Sequence, residues 1–315
     1  MSWRKRRSTP LSRLPRSLLT TAILRLIVLM LFAGRLAAAD TPGHCQHPQY
    51  AESLTMSVGV APWTNSQIAK FWSGQLGKHF RSGYCIAATF RSDADYLAYL
   101  HAAVSGKYDL LDAPPHIALF LVQHHGFQIV ARERFNTART TYFVRSDSKI
   151  MSLADLGSKV LAAPDPLGFV SLVAVERFAG RMPPTTITYF GKHEQVISAV
   201  LNKQASAGVI YSPMLDSYRE RHEDRFRILH SEPNRVDGFM VARKNIAAQL
   251  LSRSRIALLQ FNAQHSALLQ RWEPVATPEL EPLLSEYAPY IAAVHRRWSN
   301  SASLAPALQP ASDQQ

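Results

Sequence analysis

Short apolar runs alternate with segments of helical period from Ser53 onward, and this alternation predicts an α/β architecture. Leu54–Val60 is predicted as the first strand and Ser66–Phe80 as a helix. Ser92 is predicted to cap the next helix, Asp93–Ser105. The same rhythm predicts further strands at Tyr84–Phe90, Tyr108–Leu111, Phe127–Arg132, Lys159–Ala162, Thr186–Phe190, Ala207–Tyr211 and Phe226–Ser231, and helices at Pro114–His125, Ser152–Leu156, Gly168–Phe178, His193–Leu201 and Pro213–Arg221.

Two extended runs, Thr140–Arg145 and Gly238–Ala242, are predicted as crossovers that join two α/β lobes. Lobe 1 is expected to comprise residues 53–140 plus 238–298, and lobe 2 residues 141–237. Helices Ala247–Trp272 and Glu279–Trp298 would complete lobe 1, followed by a disordered tail at 299–315. The cleft between such lobes is walled by strand carboxyl ends and helix N-termini, which bind ligands and particularly anions.

The N-terminal segment has the parts of an export signal: a basic stretch, an apolar stretch and the small residues Ala37–Ala39. We expect residues 1–39 to be a cleaved signal peptide, 40–52 to be an N-terminal tail, and the mature chain to reside in the periplasm. An uncleaved anchor is the alternative, although Leu26–Gly34 is short for a bilayer span of about 20 residues.

The basic charge of the chain belongs mostly to this segment. The formal charge is +12, from 35 Lys and Arg against 23 Asp and Glu, and eight of the basic residues precede Asp40, which leaves 27 − 23, or +4. From this balance we expect no nucleic-acid partner.

The two cysteines, Cys45 and Cys85, both lie in the exported part, where an oxidising environment favours the disulfide that we predict between them.

Several motifs in order resemble one family. They are Gly106-Lys107-Tyr108-Asp109, then Asp165-Pro166, then the segment 191–200 that begins Gly191-Lys192-His193-Glu194, and Ala205–Val209. This series resembles the phosphate, phosphite and phosphonate binding proteins of ABC importers, which are type 2 periplasmic solute-binding proteins. The resemblance covers about Leu54–Lys244. It implies a two-lobed α/β fold of that type, with two crossover strands and a central ligand cleft.

The resemblance implies an oxyanion between the lobes, but this chain keeps only part of the implied ligand set. His193 is retained. Leu167–Val170 replaces the hydroxyl-rich turn, Ser171 is displaced by one position, and Ser206 stands where the family has Asp. We therefore expect weak binding of free phosphate and simple phosphonates, and a ligand with an apolar portion.

The candidate ligand-binding residues fall into two chemical groups. Gly168, at a helix N-terminus, would expose backbone N–H groups to an anion, with His193, His116 and Ser171 as further hydrogen-bonding groups. Aromatic faces would come from Trp63 and Phe169, with Tyr142 and Tyr211 beside them. The full candidate set is Trp63, His116, Tyr142, Gly168, Phe169, Ser171, His193 and Tyr211.

The sequence thus predicts a periplasmic solute-binding component of an ABC importer, which binds a phosphonate-like oxyanion or a divergent organic ligand. The alternative is an accessory or sensory periplasmic module that contacts a protein partner without feeding an importer. We expect no enzyme activity, because the Ser146–Lys149 spacing lacks the accompanying elements of a Ser-x-x-Lys catalyst. Neither a cofactor nor a metal is expected, and the predicted partners are the ligand and an inner-membrane permease, with the chain a monomer.

Overall fold

The computed structural model describes residues 49–50, 52–62, 72–135, 139–220, 225–233, 238–261 and 269–304. The predicted signal peptide, most of the N-terminal tail, Cys45 and Trp63 lie outside these residues. Among the helices of the described part, none combines the length and the apolar character needed to cross a membrane.

Lobe 1 is built on a six-stranded mixed sheet in the order β11-β4-β10-β3-β1-β2. Strand β1 is parallel to β2 and β3, whereas β10 runs antiparallel to both β3 and β4. The strands are β1 Leu54–Val60, β2 Ile86–Arg91, β3 Leu110–Ala113, β4 Gln128–Phe135, β10 Gly238–Ala242 and β11 Leu269–Glu273.

Lobe 2 is built on a five-stranded sheet in the order β7-β6-β8-β5-β9. Strand β6 is parallel to β7 and β8, and β5 runs antiparallel to β8 and β9. The strands are β5 Arg139–Arg145, β6 Val160–Ala163, β7 Thr186–Tyr189, β8 Ala207–Tyr211 and β9 Phe226–Pro233. The chain therefore changes sheet twice, between β4 and β5 and between β9 and β10.

Helices cover both sheets. They are α1 Gly77–Tyr84, entered through a π-helical turn Trp72–Leu76, then α2 Tyr96–Val104, α3 Pro115–His125, α4 Phe169–Phe178, α5 His193–Leu201, α6 Ser212–Arg219, α7 Ala248–Gln260 and α8 Thr277–Leu304. A 3-10 turn spans Leu153–Leu156. The alternation of strands and helices confirms the predicted α/β class.

The apolar residues explain why the lobe 1 sheet is covered on both faces. Strand β10 is buried throughout, and its successive side chains point to opposite faces. Met240 belongs to one core cluster with Val58, while Phe239 belongs to another with Phe120. A strand buried on two sides is typical of a sheet between helical layers.

The structure corrects three local predictions. Asp95, and not Ser92, caps α2, because its side chain accepts a hydrogen bond from Ala98 N–H at 2.8 Å. Helix α7 ends at Gln260, and the segment predicted as its continuation supplies β11, which pairs with β4. Helix α8 continues through Leu304 into the segment predicted to be disordered.

The last turns of α8 have contacts that account for this extension. His101 on α2 lies with its ring centroid 4.4 Å from that of Trp298 and with Nε2 3.1 Å from Ser301 Oγ. Packing of this kind stabilises a polar helix end that composition alone does not favour.

Candidate functional site

A cavity lies between the lobes, where strands from both sheets end and helices α2, α4 and α5 begin. Lobe 1 contributes Pro62, Asp95, Tyr96, Asp112, Pro115 and Glu133 among others, and lobe 2 contributes Asp165, Gly168, Phe169, Val170, His193 and Tyr211. Carboxyl ends of strands and N-termini of helices are where open α/β sheets bind ligands.

The cavity is small. Its volume within the described residues is about 90 Å³, whereas a single water needs roughly 10–15 Å³. The described walls therefore leave room for a small solute.

Helix α4 presents its N-terminus to this cavity through a glycine. Gly168 is the N-cap, in an extended conformation and without a side-chain cap, and the first turn continues through Phe169 and Val170. The first N–H groups of a helix have no intrahelical partner, so they favour a negative or hydrogen-bond-accepting group. A Cβ on Gly168 would lie 3.0 Å from the carbonyl oxygen of Asp165, which explains why glycine suits this position.

Helix α5 brings His193 to the same cavity. Gly191 has a φ of +87°, and Gln195 Oε1 accepts a hydrogen bond from Lys192 N–H at 2.9 Å, which fixes the helix start. The His193 side chain is 5% exposed, and its Nδ1 has no hydrogen-bond partner among the described residues. Burial lowers the pKa of His193 to about 4, so the imidazole is neutral at pH 7.

Phe169 connects the cavity wall to an aromatic cluster. Its ring centroid lies 5.7 Å from that of His116 on α3, and 5.8 and 5.3 Å from those of Tyr287 and Tyr290 on α8. These offset and edge arrangements are favourable for aromatic rings. Phe169 therefore presents an apolar face to the cavity while its other neighbours belong to lobe 1.

His116 lies behind the cavity wall and does not line it. It is fully buried, and burial lowers its pKa to about 4. Its Nε2 is 2.7 Å from the carbonyl oxygen of Leu167. Because a carbonyl only accepts, the neutral ring carries its proton on Nε2 and donates this bond from lobe 1 to lobe 2.

Ser171 and Tyr142 also lie away from the cavity. Ser171 is fully buried in the first turn of α4. Tyr142 is at the middle of β5 with its ring 6.1 Å from Phe178 and 5.8 Å from the Arg177 guanidinium, inside lobe 2. Its position in a strand covered by α4 directs it into that core. Gly168, Phe169, His193 and Tyr211 are thus the predicted residues that the structure brings together.

Two carboxyl groups at the cavity were not among the sequence-predicted residues. Asp112 is at the end of β3 and 2% exposed, and Glu133 is on β4 and 3% exposed. The signal in the sequence is an ionisable residue inside an apolar strand, Leu110-Leu111-Asp112-Ala113. Burial raises the pKa of Asp112 to about 6, against the opposing effects of hydrogen bonds from Glu133 and the Ala61 backbone.

Polar contacts across the cleft hold the lobes together. Asp165 in lobe 2 accepts hydrogen bonds from the Tyr96 N–H at 3.2 Å and from its own loop, and burial raises its pKa. Tyr290 on α8 donates a hydrogen bond to Glu176 on α4. With the His116 bond, these contacts describe a closed arrangement of the lobes.

Comparisons with known proteins agree with this geometry. Residues 58–279 match the family model described as ABC transporter, phosphonate, periplasmic substrate-binding protein. No curated protein is detectably similar to the chain in sequence.

Solved structures with the same fold come from several bacteria. The structure of XAC2383 from Xanthomonas citri bound to ATP is similar with a TM-score of 0.60 and 16% identity, covering 78% of this chain and 99% of that one. A binding protein component of an ABC phosphonate transporter from Pseudomonas aeruginosa is similar with a TM-score of 0.59 and 16% identity, covering 82% and 100%. PhnD1 from Prochlorococcus marinus in complex with methylphosphonate is similar with a TM-score of 0.62 and 11% identity, covering 75% and 98%. These likenesses confirm the predicted two-lobed periplasmic-binding-protein fold.

Proposed function

The chain belongs to the family of periplasmic substrate-binding proteins of phosphonate ABC transporters, and we propose that it closes its lobes around one small solute for delivery to an importer. The observation that carries this proposal is the cavity walled by both lobes, with Asp112 and Tyr96 on one side and Phe169 and His193 on the other. A ligand that contacts both walls only in the closed state shifts the population toward closure.

The closed arrangement supplies a physical reason for coupling ligand capture to lobe movement. The bond from Tyr96 N–H to Asp165 and the bond from His116 to the Leu167 carbonyl both cross the cleft. Opening the lobes breaks these bonds and exposes Phe169. A bound ligand adds contacts to the same two walls, so its binding free energy favours the closed state.

The proposal extends to the surroundings of the protein. Residues 1–39 direct export and are removed, the mature chain acts in the periplasm as a monomer, and an inner-membrane ABC permease receives the solute. No nucleic acid, cofactor or catalytic step is part of this function. The proposed lobe boundaries are residues 53–140 with 238–298 and residues 141–237, and they lie close to the two points where the chain passes between the sheets, before β5 and before β10.

The ligand contacts that we propose follow from the cavity wall. Phe169 packs against an apolar part of the ligand, while the first turn of α4 and His193 donate or accept hydrogen bonds. Phosphate has no apolar part and methylphosphonate has only a methyl group to pack on Phe169, and the turn 167–170 supplies no hydroxyl donors. Each absent donor weakens a site by about 0.5–1.5 kcal/mol.

A thermal-shift screen with calorimetric follow-up tests this function. The screen covers phosphate, phosphite, methylphosphonate, small sulfonates and organic cations. We expect a solute that stabilises the wild-type chain and loses binding in Phe169→Ala and His193→Ala. Ile228→Ala, which removes an exposed side chain from β9, is the control and should bind as wild type. Submicromolar methylphosphonate binding unaffected by Phe169→Ala would contradict the proposed contacts.

A further inference from the structure

The ionisable groups on the described cavity wall are almost all acidic. Asp95, Asp112, Glu133 and Asp165 line the cavity together with His193, and no Lys or Arg is among the described lining residues. His193 adds no positive charge at neutral pH, because burial lowers its pKa to about 4. The side-chain charge on the described wall is thus negative and favours a cationic group beside it, whereas the α4 N-terminus on the lobe 2 side favours a negative or hydrogen-bond-accepting group.

Asp95 and Asp165 have partners that account for their positions. Asp95 caps α2 through Ala98 N–H, and Asp165 accepts hydrogen bonds from Tyr96 N–H and Leu167 N–H. Both therefore have structural roles in the closed lobes. The remaining acids on the described wall are Asp112 and Glu133, and these two contact each other.

Asp112 and Glu133 approach each other across one strand. Both β3 and β4 pair with β10, where Met240 is the partner of Asp112 and Gly238 is the partner of Glu133. A Cβ on Gly238 would lie 2.5 Å from Glu133 Oε2, so glycine is required for the Glu133 side chain to lie there. The two carboxyl groups are hydrogen-bonded to each other at the cavity floor.

Asp112 carries an unsatisfied acceptor at this place. Its side chain is 98% buried, yet Oδ2 has no hydrogen-bond partner among the described residues. A buried carboxylate without a full set of donors is unfavourable, and the hydrogen bonds from Glu133 and the Ala61 backbone offset only part of that cost, because burial still raises the pKa of Asp112. A purely structural role for Asp112 does not require its Oδ2 to lack a donor. A cationic hydrogen-bond donor of a ligand supplies the missing partner of this oxygen.

We propose that the cavity binds a ligand through a cationic nitrogen group, an ammonium or guanidinium, that rests on Asp112 and Glu133. The rest of the ligand then lies against Phe169 and the first turn of α4 on the opposite wall. This inference rests on the proposed solute-binding function and names the ligand chemistry of the same site. Charge pairing in a closed, water-poor cavity gives the selectivity for cations over neutral molecules of the same shape.

Two pairs of probes test the proposal by changing charge with almost no change of shape. 2-Aminoethanol is compared with propan-1-ol, and 2-aminoethylphosphonate with propylphosphonate, by calorimetry at pH 7.5 and low salt. At least one cationic probe is expected to bind at least tenfold more tightly than its partner in the pair. The second pair also tells whether an anionic group at the α4 N-terminus contributes, because 2-aminoethanol lacks one.

Variants of the same shape without the negative charge test whether Asp112 and Glu133 bind the cationic group. Asp112→Asn and Glu133→Gln are expected to reduce the cationic preference to less than threefold, while Asp216→Asn, an exposed acid on α6 outside the cavity, retains it. Circular dichroism verifies folding, and either of the two cavity variants suffices if the other does not fold.

Each contrary result has a distinct meaning. Equal binding within both pairs, or tighter binding of propylphosphonate, would overturn the cationic site and leave the solute-binding function in place. Loss of the preference in Asp216→Asn to the same extent would also overturn the assignment to Asp112 and Glu133. If none of the four probes binds the wild-type protein, the cationic site is overturned, and failure of the wider screen as well would overturn the proposed function.

Discussion

Replacing Asp112 by Asn is expected to stabilise the ligand-free protein at neutral pH. Burial raises the pKa of Asp112 from its ordinary value of 3.8 to about 6, which means that the folded state disfavours the ionised form. A difference of this size corresponds to about 3 kcal/mol at pH 7.5, since one pKa unit equals about 1.4 kcal/mol. Asn carries no charge and avoids this cost, and its amide still accepts a hydrogen bond from Ala61 N–H and donates one to Glu133.

The sign of the pH dependence follows from the same titration. The folded-state pKa is raised, so the stability associated with protonation is present below pH 3.8 and is lost as the pH rises through about 6. The advantage of Asp112→Asn over wild type should therefore decrease from about 3 kcal/mol at pH 7.5 to about 1 kcal/mol at pH 4.5. The buried histidines titrate in both proteins, so their effect cancels in the difference.

Urea unfolding followed by circular dichroism at the two pH values measures this difference. Glu281→Gln, which changes an exposed carboxylate on α8, serves as the control and should change stability by less than about 0.5 kcal/mol. Destabilisation of Asp112→Asn at pH 7.5, or a gain that is the same at both pH values, would refute the reasoning. The first result would mean that the Asp112 carboxylate is satisfied without a ligand, and the second that the gain does not come from its ionisation.

Other predictions concern the α4 turn, the tail and the lobe contacts. Gly168→Ala should lower the unfolding free energy by about 1 kcal/mol, because the added Cβ approaches a carbonyl oxygen. Gly83→Ala, which has open space around it in α1, should raise the unfolding free energy by about 0.5–1 kcal/mol. Urea unfolding that gives both changes the same sign would contradict this. Mass spectrometry of unreduced protein should find Cys45 joined to Cys85, a link worth about 3–4 kcal/mol, and two alkylatable thiols would reject it. Tyr290→Phe removes a hydrogen bond between the lobes and should weaken binding of the screened solute two- to tenfold in calorimetry, while unchanged affinity would show that this contact does not hold the closed state.

Local patterns explain why much of the fold was predictable. Helix His193–Leu201 and strands Ala207–Tyr211 and Gly238–Ala242 have the bounds that the sequence predicts, because each is an apolar segment bounded by turn residues. The position of Gly168 and His193 at the cavity was predictable for a related reason. Both stand where a strand passes into a helix, and such positions are visible along the chain.

The acid pair and the interlobe contacts were not predictable in this way. Asp112 and Glu133 are brought together by β10, which enters the sheet between β3 and β4 from far along the chain. Tyr142 is a residue that the sequence predicts at the cleft and the structure places elsewhere. Its position on a crossover strand favours the cleft, but the Tyr142 side chain points into the lobe 2 core. Pairings between distant segments, and the face that a fully buried strand presents, are not encoded in local periodicity.

Lobe closure around a solute is the central claim, and small-angle scattering tests it most directly. The measurement compares the radius of gyration of the mature protein alone and with the probe that gives the largest thermal shift, at a concentration that calorimetry shows to be saturating. The account predicts a smaller radius with the probe, and no change in a Phe169→Ala protein that fails to bind it. An unchanged radius for the wild-type protein at confirmed saturation would contradict the account.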